Sequence, residues 1–244
     1  MNNTEGHLRK WMASLTFWEG CTFFRTLPRQ WSRRCALVFL ISAGMTACSG
    51  GSDGWNEEVL LHDGSKVIVT RTQRYGGRHE VGQSSPIREQ ELSFVVPGTT
   101  KRLIFKSEYS EDIRHANFTP LALHILNGVP YVITTPNLCL AFNKWGRPNP
   151  PYVLFRHTGQ DWQRISLQDL PAQFKDINLV INTKTKDKEF ADQSPVSAEL
   201  VRKLNSILKQ PEFKMILRSP LIGHAECPDY DSQQYRSAKA PNGY

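Results

Sequence analysis

Short apolar runs recur along the middle of this chain, and two of the gaps between them are the dipeptides Asp63-Gly64 and Asn127-Gly128. A two-residue connection of this kind requires positive φ, which Asn, Asp and Gly tolerate, and its twist matches that of the antiparallel strands it joins. Residues 57–62 and 66–72 are thereby predicted as one hairpin, and 121–126 with 129–134 as another. Leu92, Phe94 and Val96 alternate with Ser93 and Val95, and Leu103 with Phe105 answers them after Pro97-Gly98. Residues 152–157 and 162–166 flank Thr158-Gly159-Gln160-Asp161, a third hairpin signal. Residues 177–182 read as a further strand, after a short turn or helix around 170–174.

The pattern changes at Ser194-Pro195, where a capping residue precedes a proline in a first helical turn. Val196, Leu200, Leu204 and Leu208 then recur every four residues, predicting a helix that stops near Gln210, before Pro211. A second short helix is expected over 211–218, burying Phe213, Ile216 and Leu217. Residues 229–244 are polar and expected to be disordered. The fold class expected is α+β: a β-rich antiparallel domain of about nine or ten strands, with one or two C-terminal helices. Trp55, Trp145 and Trp162 loosely suggest propeller blades. The only internal echo is Pro130-Tyr131-Val132 against Pro151-Tyr152-Val153, too short to establish a repeat. A barrel or a sandwich is equally compatible.

Ahead of this domain, Arg25, Arg29, Arg33 and Arg34 precede an apolar run from Ala36 to Met45. Ten helical residues cover about 15 Å, half of a hydrocarbon core of about 30 Å, which favours a cleaved export signal over a membrane-spanning anchor. The run ends in Met45-Thr46-Ala47-Cys48, which resembles the bacterial lipobox, usually Leu-Ala/Ser-Gly/Ala-Cys. Met45 stands where leucine is usual, and Thr46 is a less common second residue. The resemblance implies diacylglycerol on the Cys48 sulfur, cleavage after Ala47 and acylation of the new amino terminus. An ordinary signal peptide with an incidental cysteine is the alternative. Arg33-Arg34 also invites a twin-arginine reading, but the usual Phe-Leu does not follow. Ser49, in place of aspartate, implies the outer membrane, facing the periplasm. Residues 48–54 then form a Gly/Ser tether, and 55–228 the folded domain. Within the leader 1–47, residues 1–24 are unusual: either the true start lies further along, or the leader is long. In general appearance the domain resembles uncharacterised lipoproteins of Gram-negative bacteria.

The net charge of +7 raises nucleic acid as a partner, but the leader supplies much of it. Beyond residue 47 the chain holds 24 basic and 21 acidic residues, a net of +3, so no nucleic-acid footprint is expected. Cys139 and Cys227 are the only cysteines after Cys48, and an oxidising periplasm predicts a disulfide between them.

No Gly-x-Ser-x-Gly elbow, His-Glu-x-x-His pair, P-loop or dinucleotide glycine fingerprint occurs after the leader. No cofactor or metal is called for, and no catalytic residue is nominated. His124 and His157 read as histidines of the strands. His79-Glu80 after Gly76-Gly77-Arg78 reads as a solvated turn, with an anion site as the alternative. Glu108, Glu111 and Asp112 read as a solvated acidic loop, with acid–base chemistry as the alternative. The stretch 143–152 holds three prolines together with Trp145, Arg147 and Tyr152, residue types that often anchor interfaces. It is the expected contact surface, the alternative being a rigid connection whose Trp145 and Tyr152 pack inward. The function expected is a membrane-anchored, non-enzymatic binding or assembly module with an envelope protein or glycan as partner. The alternative is an envelope hydrolase acting on cell-wall or ester substrates.

Overall fold

The computed structural model describes residues 51–77, 82, 84–181, 193–222 and 227–228. The leader, Cys48, the pair His79-Glu80 and the tail from residue 229 lie outside the described residues.

Strands β1 (Ser52–Leu60), β2 (Lys66–Tyr75), β3 (Ile87–Val95) and β4 (Arg102–Ser107) form one antiparallel meander in sequence order. A small hairpin, β5 (Tyr109–Ser110) with β6 (His115–Ala116), leads to the second. That sheet comprises β7 (Phe118–Leu126), β8 (Val129–Pro136), β9 (Val153–His157) and β10 (Trp162–Ile165), in the order β10-β9-β8-β7. Helix α1 (Leu138–Lys144) follows β8, and α2 (Ala198–Ser206) precedes a 3-10 turn at Pro211–Phe213. The fold is α+β and β-rich, with ten strands among the described residues. One helix, α1, interrupts the second sheet's sequence instead of following it.

The turns behave as their residues require. Asn127 and Gly128 both take positive φ (51° and 74°), and Leu126 pairs directly with Val129 across them. At Asp63-Gly64 only Gly64 is left-handed. The connection widens to residues 61–65, closed by Leu61 N–H donating to Ser65 O at 2.8 Å.

The two meanders face each other in a sandwich. Val59, Val69, Leu92, Phe94 and Phe105 of the first sheet share a core with Leu123, Ile125 and Val132 of the second. Each fully buried side chain of this size contributes roughly 1.5–3 kcal/mol. β2 alternates buried and exposed residues, so the first sheet keeps one wet face. β7 is buried on both faces because Leu170, Phe174, Ile177 and Ile216 cover the second sheet's outer side. Polar residues continue the inward row of β2: Arg71 and Gln73 follow Val67 and Val69 at period two. Gln73 donates to Gln90 (3.2 Å), Gln90 donates to Phe118 O (3.2 Å), and Phe118 N–H donates to the Ser107 hydroxyl (2.7 Å). These bonds satisfy the backbone where the chain enters the second sheet.

Several expected boundaries move. The tether expected to reach Gly54 ends sooner, because Ser52, Asp53 and Gly54 pair with Arg74, Gln73 and Thr72 as the start of β1. Residues 177–181 form no strand. Instead the Asn178 amide imitates one, accepting from Leu123 N–H (2.9 Å) and donating to Leu123 O (2.8 Å) and Leu60 O (2.9 Å). Val196 is extended, not helical. Glu58 N–H donates to Val196 O, and Val196 N–H to Asn56 O, both at 2.8 Å, covering the open edge of β1. Helix α2 starts after Ser197, whose side chain accepts from Leu200 N–H, and ends at Ser206 rather than near Gln210. The second helix expected over 211–218 reduces to the 3-10 turn.

His124 is a core histidine, fully buried and stacked on Phe174 at 4.7 Å. Its Nε2–H donates to Asp176 O (3.0 Å), while Nδ1 finds no partner. Burial, with the neighbouring His62 adding to it against the opposing Asp176 carbonyl, lowers its pKa from 6.5 to about 4. The unfolded chain therefore binds this proton before the native one does. Stability is complete above pH 6.5, declines as pH falls towards 4, and loses roughly 3 kcal/mol in all. His124→Gln keeps the donor to Asp176 and should flatten that decline. Urea midpoints at several pH values test it, and an equal decline in both proteins refutes it.

Candidate functional site

Strand directions place the tight turns of both sheets at one end of the sandwich. β1–β2, β3–β4, β7–β8 and β9–β10 all reverse there, while the longer connections and the start of β1 lie at the other end. Between the last three turns is a cleft of about 470 Å³. Lys101 crosses it to the opposite turn, its ammonium donating to Gly159 O at 2.7 Å. Arg156, on β9, stands half-buried in the wall, its charge adding to the Ser166 hydrogen bonds that hold the Asp169 carboxyl below the usual range. Buried Tyr131, its cross-strand neighbour, and His157 complete the polar lining. His157 Nδ1 accepts from Gly159 N–H (3.0 Å), and its ring meets Trp162 edge-on at 5.1 Å. Burial first, then the Lys101 charge, lowers the His157 pKa, so the imidazole is neutral at pH 7. Among the described residues, no carboxylate lines the cleft. Lys101 and Arg156 give the lining a positive bias that Asp161 and Asp169, just outside it, offset only in part; such a lining suits an anion, and the arrangement offers recognition more readily than acid–base chemistry.

The chain matches no protein family, no curated protein and no solved structure.

The residues nominated from sequence lie at the other end. Helix α1 closes with Gly146 in the left-handed region, Gly146 N–H donating to Asn143 O and Arg147 N–H to Phe142 O. This is a Schellman termination. Trp145 is half-buried, with Nε1–H on Asn117 Oδ1 (3.0 Å) and its ring 4.6 Å from Phe118. Arg147 folds back on its own helix, bonding Asn143 Oδ1 (2.6 Å) and lying over the Phe142 ring. Tyr152 is buried, its hydroxyl donating to Glu212 O and Met215 O and accepting from Leu217 N–H. Tyr152 therefore belongs to the core and not to a contact surface.

The loop that carries them already holds a partner from its own chain. Asn149 exchanges two hydrogen bonds with Leu221, and Asn143 donates to Pro228 O (2.7 Å). The expected disulfide joins α1 to the same segment, Cys139 to Cys227, with Cα atoms 5.2 Å apart. The loop is thus held against another segment of its own chain.

The acidic stretch is a solvated hairpin. Asp112 pairs with Lys144 at 2.9 Å, which holds its carboxyl below the usual range, and Glu111 accepts from the Tyr109 hydroxyl. Sequence reading missed the cleft because its cations lie 55 positions apart, one in the β3–β4 turn and the other on β9. Only the register of both sheets brings them together.

Proposed function

We propose that the protein is a lipid-anchored binding module of the bacterial envelope. Cys48 carries the lipid, the outer membrane is the anchoring surface, and the cleft takes a phosphate- or carboxylate-bearing glycan. The observation that supports this best is the pairing of Lys101 and Arg156 in a cleft without a carboxylate. The lipobox-like Met45-Thr46-Ala47-Cys48 supports the anchor.

Arg156→Gln is the sharper substitution, because Lys101 also holds a turn. A charge-assisted hydrogen bond contributes about 1.5–3 kcal/mol, so the change should weaken anionic glycan binding roughly tenfold or more. Neutral glycans should show no difference. Calorimetry with peptidoglycan fragments and phosphorylated sugars measures both. Equal affinity of wild type and Arg156→Gln for every anionic ligand would end the reading. Substrate turnover in place of retention would move the protein to the hydrolases.

A further inference from the structure

We infer that the end of the domain opposite the cleft docks on the lipid bilayer, through Leu138, Leu140 and Ile222; this rests on the anchoring of Cys48 proposed above. Only residues 49–51 separate Cys48 from β1. Four Cα steps reach at most about 14 Å, so an acylated Cys48 keeps this end at the headgroups.

Contacts run without a break from the start of β1 to α1 across that end. Tyr75 N–H donates to Gly51 O, and Gly77 lies against Arg114 O and Pro86. The Arg88 guanidinium lies over the Tyr109 ring, and Lys144 reaches Ser110 and Asp112 on the β5–β6 hairpin. Leu138 and Leu140 stand on α1 with 68% and 42% of their surface exposed. Ile222 is fully exposed beside Leu221, which Asn149 holds to the same end. A groove of about 510 Å³ runs alongside, its apolar walls including Pro136, Phe142, Pro151 and Phe213.

A second feature singles out Leu138. Its φ is +61°, a left-handed conformation that a leucine adopts only at a cost. The backbone there leaves a large aliphatic side chain two-thirds exposed at the rim of the groove. Charge selects no occupant here: Arg74 pairs with Glu89 and Lys144 with Asp112, and the exposed Glu108 and Glu111 are balanced by Arg88 and Arg114 at the same end. The occupant is therefore an apolar–polar boundary, which a lipid interface provides.

The test uses full-length, lipidated protein in phosphatidylethanolamine–phosphatidylglycerol vesicles and in whole envelopes. A benzophenone amino acid replaces Ile222 or, at the cleft end, Gln160. Lipid adducts should form at position 222 and stay at background at position 160. They should survive insertion of a twenty-residue Gly/Ser spacer after Ser49. Leu138→Gln with Leu140→Gln in that long-tether protein should lower them roughly tenfold, as loss of leucine transfer implies. Equal adducts at both positions, loss of adducts with the spacer, or a protein as the main adduct in envelopes each overturns the docking. Fatty-acid labelling against Cys48→Ala is read in the same samples. A labelled protein without lipid adducts refutes docking alone, whereas an unlabelled wild type refutes the anchor and docking together.

Discussion

Serine at both Cys139 and Cys227 is expected to lower the free energy of unfolding by about 4 to 5 kcal/mol. The two cysteines are 88 positions apart, so the bond closes a loop that holds β9 and β10 of the second sheet, its outer layer and α2. In the unfolded chain that closure removes a large share of the accessible conformations, and the logarithmic dependence on loop length gives the magnitude. The native state supplies independent attachments near the same place, Asn143 to Pro228 and Asn149 to Leu221. The folded segment should therefore keep its position in the double variant, and the loss should come from the unfolded ensemble. Urea unfolding of the oxidised wild type and the double serine variant measures it. A difference below about 1 kcal/mol would mean that the segment bearing Cys227 opens before the rest and leaves global stability untouched.

The second large effect is expected at Glu57 and Arg71. Both side chains are 0–1% exposed, and the guanidinium Nη1 meets Glu57 Oε1 at 2.8 Å. Glu57 is well supplied: Trp55 Nε1–H (3.0 Å) and Val180 N–H (3.3 Å) donate to its other oxygen. Arg71 is not, because its Nε and Nη2 have no hydrogen-bond partner among the described residues. The Trp55 ring, 5.1 Å from its Cζ, provides only a cation–π contact. Glu57→Gln keeps the shape but turns one of the two acceptor oxygens into a donor and strands a buried cation, which should cost about 3–5 kcal/mol. Adding Arg71→Met removes that cation and should recover most of the loss, since an apolar replacement of a buried pair is often neutral or stabilising. A double-mutant cycle decides it. Additive losses would show that the carboxylate and guanidinium act independently.

Sequence reading reached the strands and their class because period-two alternation and Asn-Gly turns are local signals. Asn127-Gly128 needed nothing beyond its own dipeptide to specify the β7–β8 hairpin. Helix α1 was illegible for the converse reason. With seven residues, Ala141 alone buried and two leucines exposed, it has no apolar stripe to display. Val196 misled because its spacing from Leu200 is helical, while the hydrogen bonds that fix it belong to β1, 140 positions earlier. Arg71 and Gln73 were readable in principle: they continue the inward phase of Val67 and Val69, and polar residues in that phase mark a buried network. The Cys139–Cys227 bond followed from counting cysteines. Arg156 and Lys101 gave no comparable cue, since a cation on a strand or in a turn looks the same whether it faces solvent or a neighbouring turn.

The strap that Val196 lays along β1 has a consequence for crowding. A chain confined to a bilayer plane meets its copies at fixed tilt and at local concentrations far above those in solution. Under those conditions a bare strand margin becomes a template, each copy offering its N–H and C=O groups to the next until a fibre grows. Here the Asn56 C=O and the Glu58 N–H are spent on Val196, so under the proposed anchoring the middle of that margin would offer a neighbouring copy no template.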